Sequence, residues 1–162
     1  WQDADDESHP RRLEWQTEVW KAGRADLLSC ASILIDEDGT LHWPLVCSPP
    51  METTKAVHDM LLVHGGGVSP VSLMRVDAVR AVGNFRETPH RSEDAYLFMR
   101  LILAGYAVRA LDGPPLCFAR NRPGRLTPTI DYGKVHAAGR EMHTRAVEGP
   151  GCPVCQVKTR GT

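Results

Sequence analysis

Net charge is what this sequence has least of. Its 19 Lys and Arg against 20 Asp and Glu leave −1 over 162 residues. A nucleic-acid partner is therefore not expected, because binding a polyanion calls for a basic excess. Long hydrophobic runs are missing too. The longest, Leu27 to Ile35, is interrupted by Ser29 and Ser32 and falls far short of the ~20 residues that span a bilayer, so no transmembrane segment is expected. The chain opens on acidic residues, and no signal peptide is visible. The five cysteines (Cys30, Cys47, Cys117, Cys152 and Cys155) are odd in number and scattered. That argues against a disulfide framework and for a reducing compartment. Internal repeats are absent. What remains, 42% hydrophobic and 24% charged, is the composition of a soluble domain with a real core.

The most informative stretch is Arg91-Ser92-Glu93-Asp94-Ala95-Tyr96-Leu97-Phe98-Met99-Arg100-Leu101, closed by Ala104-Gly105-Tyr106. Leu97, Leu101 and Ala104 fall at helical spacing, with Phe98, Ile102 and Gly105 beside them, which predicts a helix with one broad buried face. Ser92 suits the N-cap, and Glu93 and Asp94 then occupy the first turn, where the helix dipole favours carboxylates. Gly105 is placed to end the helix in a left-handed conformation. On this evidence alone the acidic pair need do no more than cap the helix.

Ahead of it, Asp3-Ala4-Asp5-Asp6 reads as an acidic loop at the end of a strand, where ligands sit in α/β sheets. A helix is expected from Ser8 through Trp20, stopping near Gly23. Leu27 to Ile35 reads as one β segment, Asp38-Gly39 as a hairpin turn, and Thr40 to Val46 as the returning strand. Thr53 to Val63 should be helical, with Ala56, Met60 and Val63 on one side. Gly65-Gly66-Gly67 gives a loop that lets backbone approach a ligand, or simply a surface turn. A short helix over Met74 to Val82 should end at Gly83-Asn84. Strands are expected at Ala107 to Leu111 and Leu116 to Ala119, around Gly113-Pro114-Pro115. Ile130 to Val147 has helical composition.

Taken in order, the Asp3-Ala4-Asp5-Asp6 loop, the triple glycine, Val82-Gly83-Asn84-Phe85, Glu93-Asp94, Met99-Arg100-Leu101 and Gly105-Tyr106 resemble the second half of a family 2 glycosyltransferase of the GT-A fold. The resemblance runs from about Trp1 to Thr127. It implies an α/β, partial GT-A fold that lacks the N-terminal nucleotide-binding βαβ units. The domain layout that follows is 1–127 as the C-terminal part of the transferase domain, 128–147 as a helical extension and 148–162 as a disordered tail. An inverting transfer of a sugar is implied, from a nucleotide-diphospho-sugar donor to a carbohydrate or glycoconjugate acceptor. Asp94 takes the place of the base that deprotonates the acceptor hydroxyl. Asp3 and Asp5 take that of the Mg²⁺ or Mn²⁺ ligands, since a hard cation on a diphosphate wants one or two carboxylates. Asp3, Asp5, Asp6, Arg120 and Arg122 would meet the donor, and Gly66, Gly67 and Glu93 the acceptor. A cytoplasmic location, with peripheral membrane attachment left open, goes with that role. With the first half absent, an open sheet edge would favour self-association.

One segment departs from the family pattern. Ala119-Arg120-Asn121-Arg122-Pro123-Gly124-Arg125 stands where many members carry Tyr-Arg-x-His-Pro-Gly-Ser, so Arg122 replaces a histidine that lies near metal or diphosphate. Arginine cannot ligate a cation but pairs with phosphate. Cys152-Pro153-Val154-Cys155 is a lone Cys-x-x-Cys; His136 and His143 do not stand at zinc-finger spacing from it, so a metal is not expected there. Two rivals remain. An aspartyl phosphatase using Mg²⁺ also starts with Asp-x-Asp, but Glu7 occupies the place of its Thr or Val. The other rival is a non-catalytic remnant acting only as a binding module.

Overall fold

The computed structural model describes residues 1–23, 25–47, 50–64, 71–87, 92–123, 132–148 and 151–156, with backbone alone for 42–47, 132 and 156. The elements in chain order are β1 (Glu7–Ser8), α1 (Arg12–Lys21), β2 (Leu27–Ser29), β3 (Ser32–Ile35), β4 (Leu41–Cys47), α2 (Thr54–His64), β5 (Ser72–Met74), α3 (Val76–Ala81), α4 (Glu93–Leu103), β6 (Val108–Ala110), β7 (Cys117–Arg120), α5 (Tyr132–Glu148) and α6 (Pro153–Gln156). The chain is mixed α/β, as its sequence implies.

The strands form two small sheets. One has the order β5-β2-β6, with β5 antiparallel and β6 parallel to β2. The backbone of Trp1 lies along its outer side and exchanges two hydrogen bonds with Ser72, at 2.6 and 3.2 Å. The other has the order β1-β7-β3-β4, with only the β3–β7 pair parallel. The apolar run Leu27 to Ile35 is therefore two strands in two sheets, not one segment. Its parallel companion, Val108 to Arg120, changes sheet beside it. Leu111 N–H donates to Ser29 O and Leu116 N–H to Ala31 O, both at 2.9 Å, so the two chains stay joined across the switch. Small residues from Ser29 to Ser32 leave room for the backbone to change direction there. Under the junction Cys30, Val71, Leu116 and Cys117 form a minor core.

The main core gathers around α4. Its Leu97, Phe98, Met99, Leu101 and Ile102 are buried against Leu27, Val108 and Ala110 of the first sheet, Val57 and Leu61 of α2 and Ala78 of α3. Full burial of each such side chain contributes about 1.5–3 kcal/mol, which makes α4 the element least able to shift. Ser92 stands at its N-cap but makes no side-chain capping bond. At the other end Gly105 has φ +87. Tyr106 N–H then reaches back to Leu101 O at 3.0 Å, and the left-handed stop is the one a glycine permits.

Several expectations need correcting. Ser8 does not start the first helix but pairs with Cys117 in β1, and α1 begins at Arg12; Met74 ends β5, and the short helix begins at Val76. In α2 the buried stripe is Val57, His58 and Leu61, while Ala56 and Val63 face solvent and Met60 is only partly covered. Both stripes fall at helical spacing, and the packing partner chooses between them. Beyond Glu148 the described residues 151–156 form a further turn. Gly151 N–H donates to Ala146 O at 2.7 Å, Cys152 is buried, and Val154 packs on the main core. That turn folds α6 back onto α2 and α4.

Candidate functional site

The N-terminal turn of α4 presents Glu93 and Asp94, both partly buried. One Asp94 carboxylate oxygen accepts the Ala95 N–H at 2.8 Å. Burial nevertheless raises the Asp94 carboxyl to about 6, and the negative charges of Glu93 and Asp3 add to the rise. Asp3 opens a turn in which Asp6 N–H donates back to Asp3 O at 3.3 Å. The Trp1–Ser72 pairing anchors that turn to the sheet on which α4 packs. Three of the predicted carboxylates, Asp3, Glu93 and Asp94, thus share one electrostatic neighbourhood.

The rest of the acidic turn is fixed to β7. Asp6 accepts the Arg120 N–H at 3.0 Å and the Cys117 thiol at 3.8 Å. That thiol is pushed up to about 12, chiefly by burial and then by the Asp6 charge, so it stays protonated and donates. The Arg120 guanidinium reaches Asp5 O at 3.2 Å, Asp36 O at 3.0 Å and Glu37 O at 2.6 Å, and pairs with the Glu7 carboxylate. All three of its nitrogens have protein partners, which makes Arg120 a clasp between the acidic turn and the 36–39 hairpin. Arg122 is different. Its Nε meets Asp5 Oδ2 at 2.9 Å, and its side chain is 55% exposed. A cation at the rim, bonded to a single carboxylate, is free to turn toward an incoming phosphate.

Gly66 and Gly67 lie outside the described residues, as do Gly124 and Arg125. An aromatic pair that sequence reasoning did not single out stands beside the site. Trp1 and Phe85 meet edge to face, with ring centroids 4.3 Å apart, and both remain about 40% exposed (38% and 40%). Phe85 is placed by the Gly83-Asn84 turn, where both residues have positive φ, +85 and +59. Arg100 of α4 donates to Asn84 O at 2.7 Å and to Val82 O, holding the turn against the helix. The signal was in the sequence: an aromatic directly after a Gly-Asn turn, within a motif already noted.

The fold resembles a glycosyltransferase domain. The chain is similar to the solved structure of S. aureus TarS 1-349 in complex with UDP-GlcNAc, with a TM-score of 0.56 and 16% identity over 82% of this chain. It spans 38% of the length of that structure. At this identity the likeness concerns fold alone. No protein-family model matches the chain, and no curated protein matches it. Among the described residues no helix is long and apolar enough to cross a membrane.

Proposed function

We propose that the chain is the acceptor-side part of an inverting glycosyltransferase, moving a sugar from a nucleotide-diphospho-sugar to an acceptor hydroxyl. The observation that supports this reading is that Asp3 and Asp94, far apart in the chain, lie near enough for the Asp3 charge to act on the Asp94 carboxyl, on a fold resembling a glycosyltransferase domain. Asp94 is the base. Its carboxyl titrates near 6, so at neutral pH it is ionised yet basic enough to take a proton from a hydroxyl in the transition state. Glu93 beside it orients the acceptor, and the exposed Trp1–Phe85 pair offers an apolar face on which a sugar ring can lie.

Asp3 and Asp5 supply the oxygen donors that Mg²⁺ or Mn²⁺ prefers, and their place on one turn fits a cation shared with diphosphate. Bound there, the cation would offset negative charge on the leaving diphosphate. Arg122 would exchange its bond to Asp5 for one to phosphate. Asp6 and Arg120 hold the turn in place and act on the donor only through it.

The test is donor binding and transfer in the full-length protein, using a panel of nucleotide sugars with Mn²⁺. Transfer lost in Asp94→Asn with donor affinity kept supports the reading. Undiminished transfer in that variant overturns it.

A further inference from the structure

Four side chains that the proposed transfer does not use converge where α2, α5 and the α6 turn meet. His58 of α2, His143 of α5, and Cys152 and Cys155 of the α6 turn place one ligand atom each within 4.8 Å of all the others. His58 Nε2 lies 3.7 Å from Cys152 Sγ, and His143 Nε2 lies 3.2 Å from Cys155 Sγ. The two imidazole rings stand with centroids 4.9 Å apart at 63°. We infer that His58, His143, Cys152 and Cys155 form a structural zinc site.

The distances suit that ion. Zinc takes sulfur at about 2.3 Å and nitrogen at about 2.0–2.1 Å in a tetrahedron, so its ligand atoms sit roughly 3.3–3.8 Å apart. The two nitrogen–sulfur separations, 3.7 and 3.2 Å, lie at or near this range with no metal to draw the group together. The donor set is equally selective. Two thiolates with two imidazoles in a tetrahedral arrangement select zinc, whereas Mg²⁺ and Mn²⁺ prefer oxygen.

The surroundings complete the site. His58 is 2% exposed, and its Nδ1 lies 3.0 Å from Asp59 Oδ1. With that nitrogen donating to the carboxylate, Nε2 carries the lone pair and faces Cys152. This carboxylate–histidine relay is what fixes the ring and raises its basicity in zinc proteins. Lys55 in turn holds Asp59. Cys152 is buried and Cys155 lies at the exposed rim, which gives the ion a way in. Four protein ligands leave no open position, so the role is structural rather than catalytic. The ion ties α6 to α2 and α5, behind the α4 helix that presents Asp94. The sequence hid the site because His58 lies far from the other three and a lone Cys-x-x-Cys is not distinctive.

The experiment is metal analysis of the 162-residue chain purified under reducing conditions without added metal, followed by replacement of the bound ion with Co²⁺. One zinc per chain is expected, and the Co²⁺ form should show thiolate charge transfer together with tetrahedral visible bands. Cys155→Ser should lose both signals, and its exposed position makes it the variant least harmful to folding. Asp5→Ala should keep the zinc, which separates this site from the acidic turn. Removing zinc from the wild-type chain with a chelator should lower its melting temperature. A zinc-free chain, a Cys152–Cys155 disulfide in its place, Co²⁺ bound without thiolate bands, or zinc kept in full by Cys155→Ser would each overturn the inference.

Discussion

Asp3 lies close enough to Asp94 for its charge to add to burial and to Glu93 in raising the Asp94 carboxyl to about 6. These residues stand far apart in the chain, and Asp94 would not be perturbed in this way on a solvated helix end. The relationship has a cost in stability. The folded chain holds the Asp94 proton more tightly than the unfolded one, whose value is near the ordinary 3.8. Its contribution is therefore present at low pH and lost as pH rises from about 4 through about 6.

A first prediction follows from that sign. At pH 7 the ionised Asp94 costs roughly 2–3 kcal/mol. Asp94→Asn should accordingly melt higher than wild type at pH 7 in metal-free buffer, with the difference closing below about pH 4. Equal melting temperatures at both pH values would mean that the carboxylate is well solvated.

The two arginines of the 119–125 run should behave in opposite ways. Arg120→Ala removes the clasp on Asp5 O, Asp36 O, Glu37 O and Glu7, and should cost about 2–3 kcal/mol in denaturant unfolding. Arg122→Ala breaks one exposed ion pair and should change stability by less than about 1 kcal/mol. Donor affinity should fall in the second variant while its fold is intact. The reverse pattern would make Arg120 the phosphate contact.

The buried stripe of α2 can be read by a matched pair of truncations. Leu61 is 3% exposed and Val63 61% exposed. Leu61→Ala should cost about 2–5 kcal/mol, and Val63→Ala no more than about 0.5 kcal/mol. Similar losses at both positions would place Val63 in an interface.

Much of this was legible in the sequence, for reasons that can be named. The central helix declared itself because apolar spacing, an acidic first turn and Gly105 all agree on the same limits. Asp3 and Asp94 were singled out through the order of motifs, since no local rule connects residues so far apart. The sheet switch at Cys30-Ala31 was not legible, because Leu27 to Ile35 is apolar on both sides and reads as one strand under any period. The stripe of α2 was ambiguous for a similar reason. The carbonyl partners of Arg120 were not legible, because a sequence shows its charge and not what lies around it. His58, His143, Cys152 and Cys155 did not stand out as a group because their convergence exists only once the chain has turned back through Gly151.

The last prediction separates the two carboxylate groups by what each does in the full-length protein. Asp5→Ala should weaken Mn²⁺ and nucleotide-sugar binding together, because cation and diphosphate share that turn. Asp94→Asn should leave donor affinity within a few-fold and remove turnover, because a base acts on the acceptor in the transition state alone. The pH dependence supplies the sharper reading. With Asp94 as base, activity should rise along an acid limb whose midpoint lies near 6 or somewhat below. The direction of that shift is set by charge: a cation at Asp3 offsets one of the two negative neighbours that raise the carboxyl. Burial remains the larger cause, so the limb should move only slightly between low and saturating Mn²⁺. In Asp3→Asn it should fall in the same direction even without added cation. A limb that ignores Asp3→Asn would show that the Asp3 charge does not reach Asp94, whereas an acid limb that survives Asp94→Asn would remove Asp94 as the base.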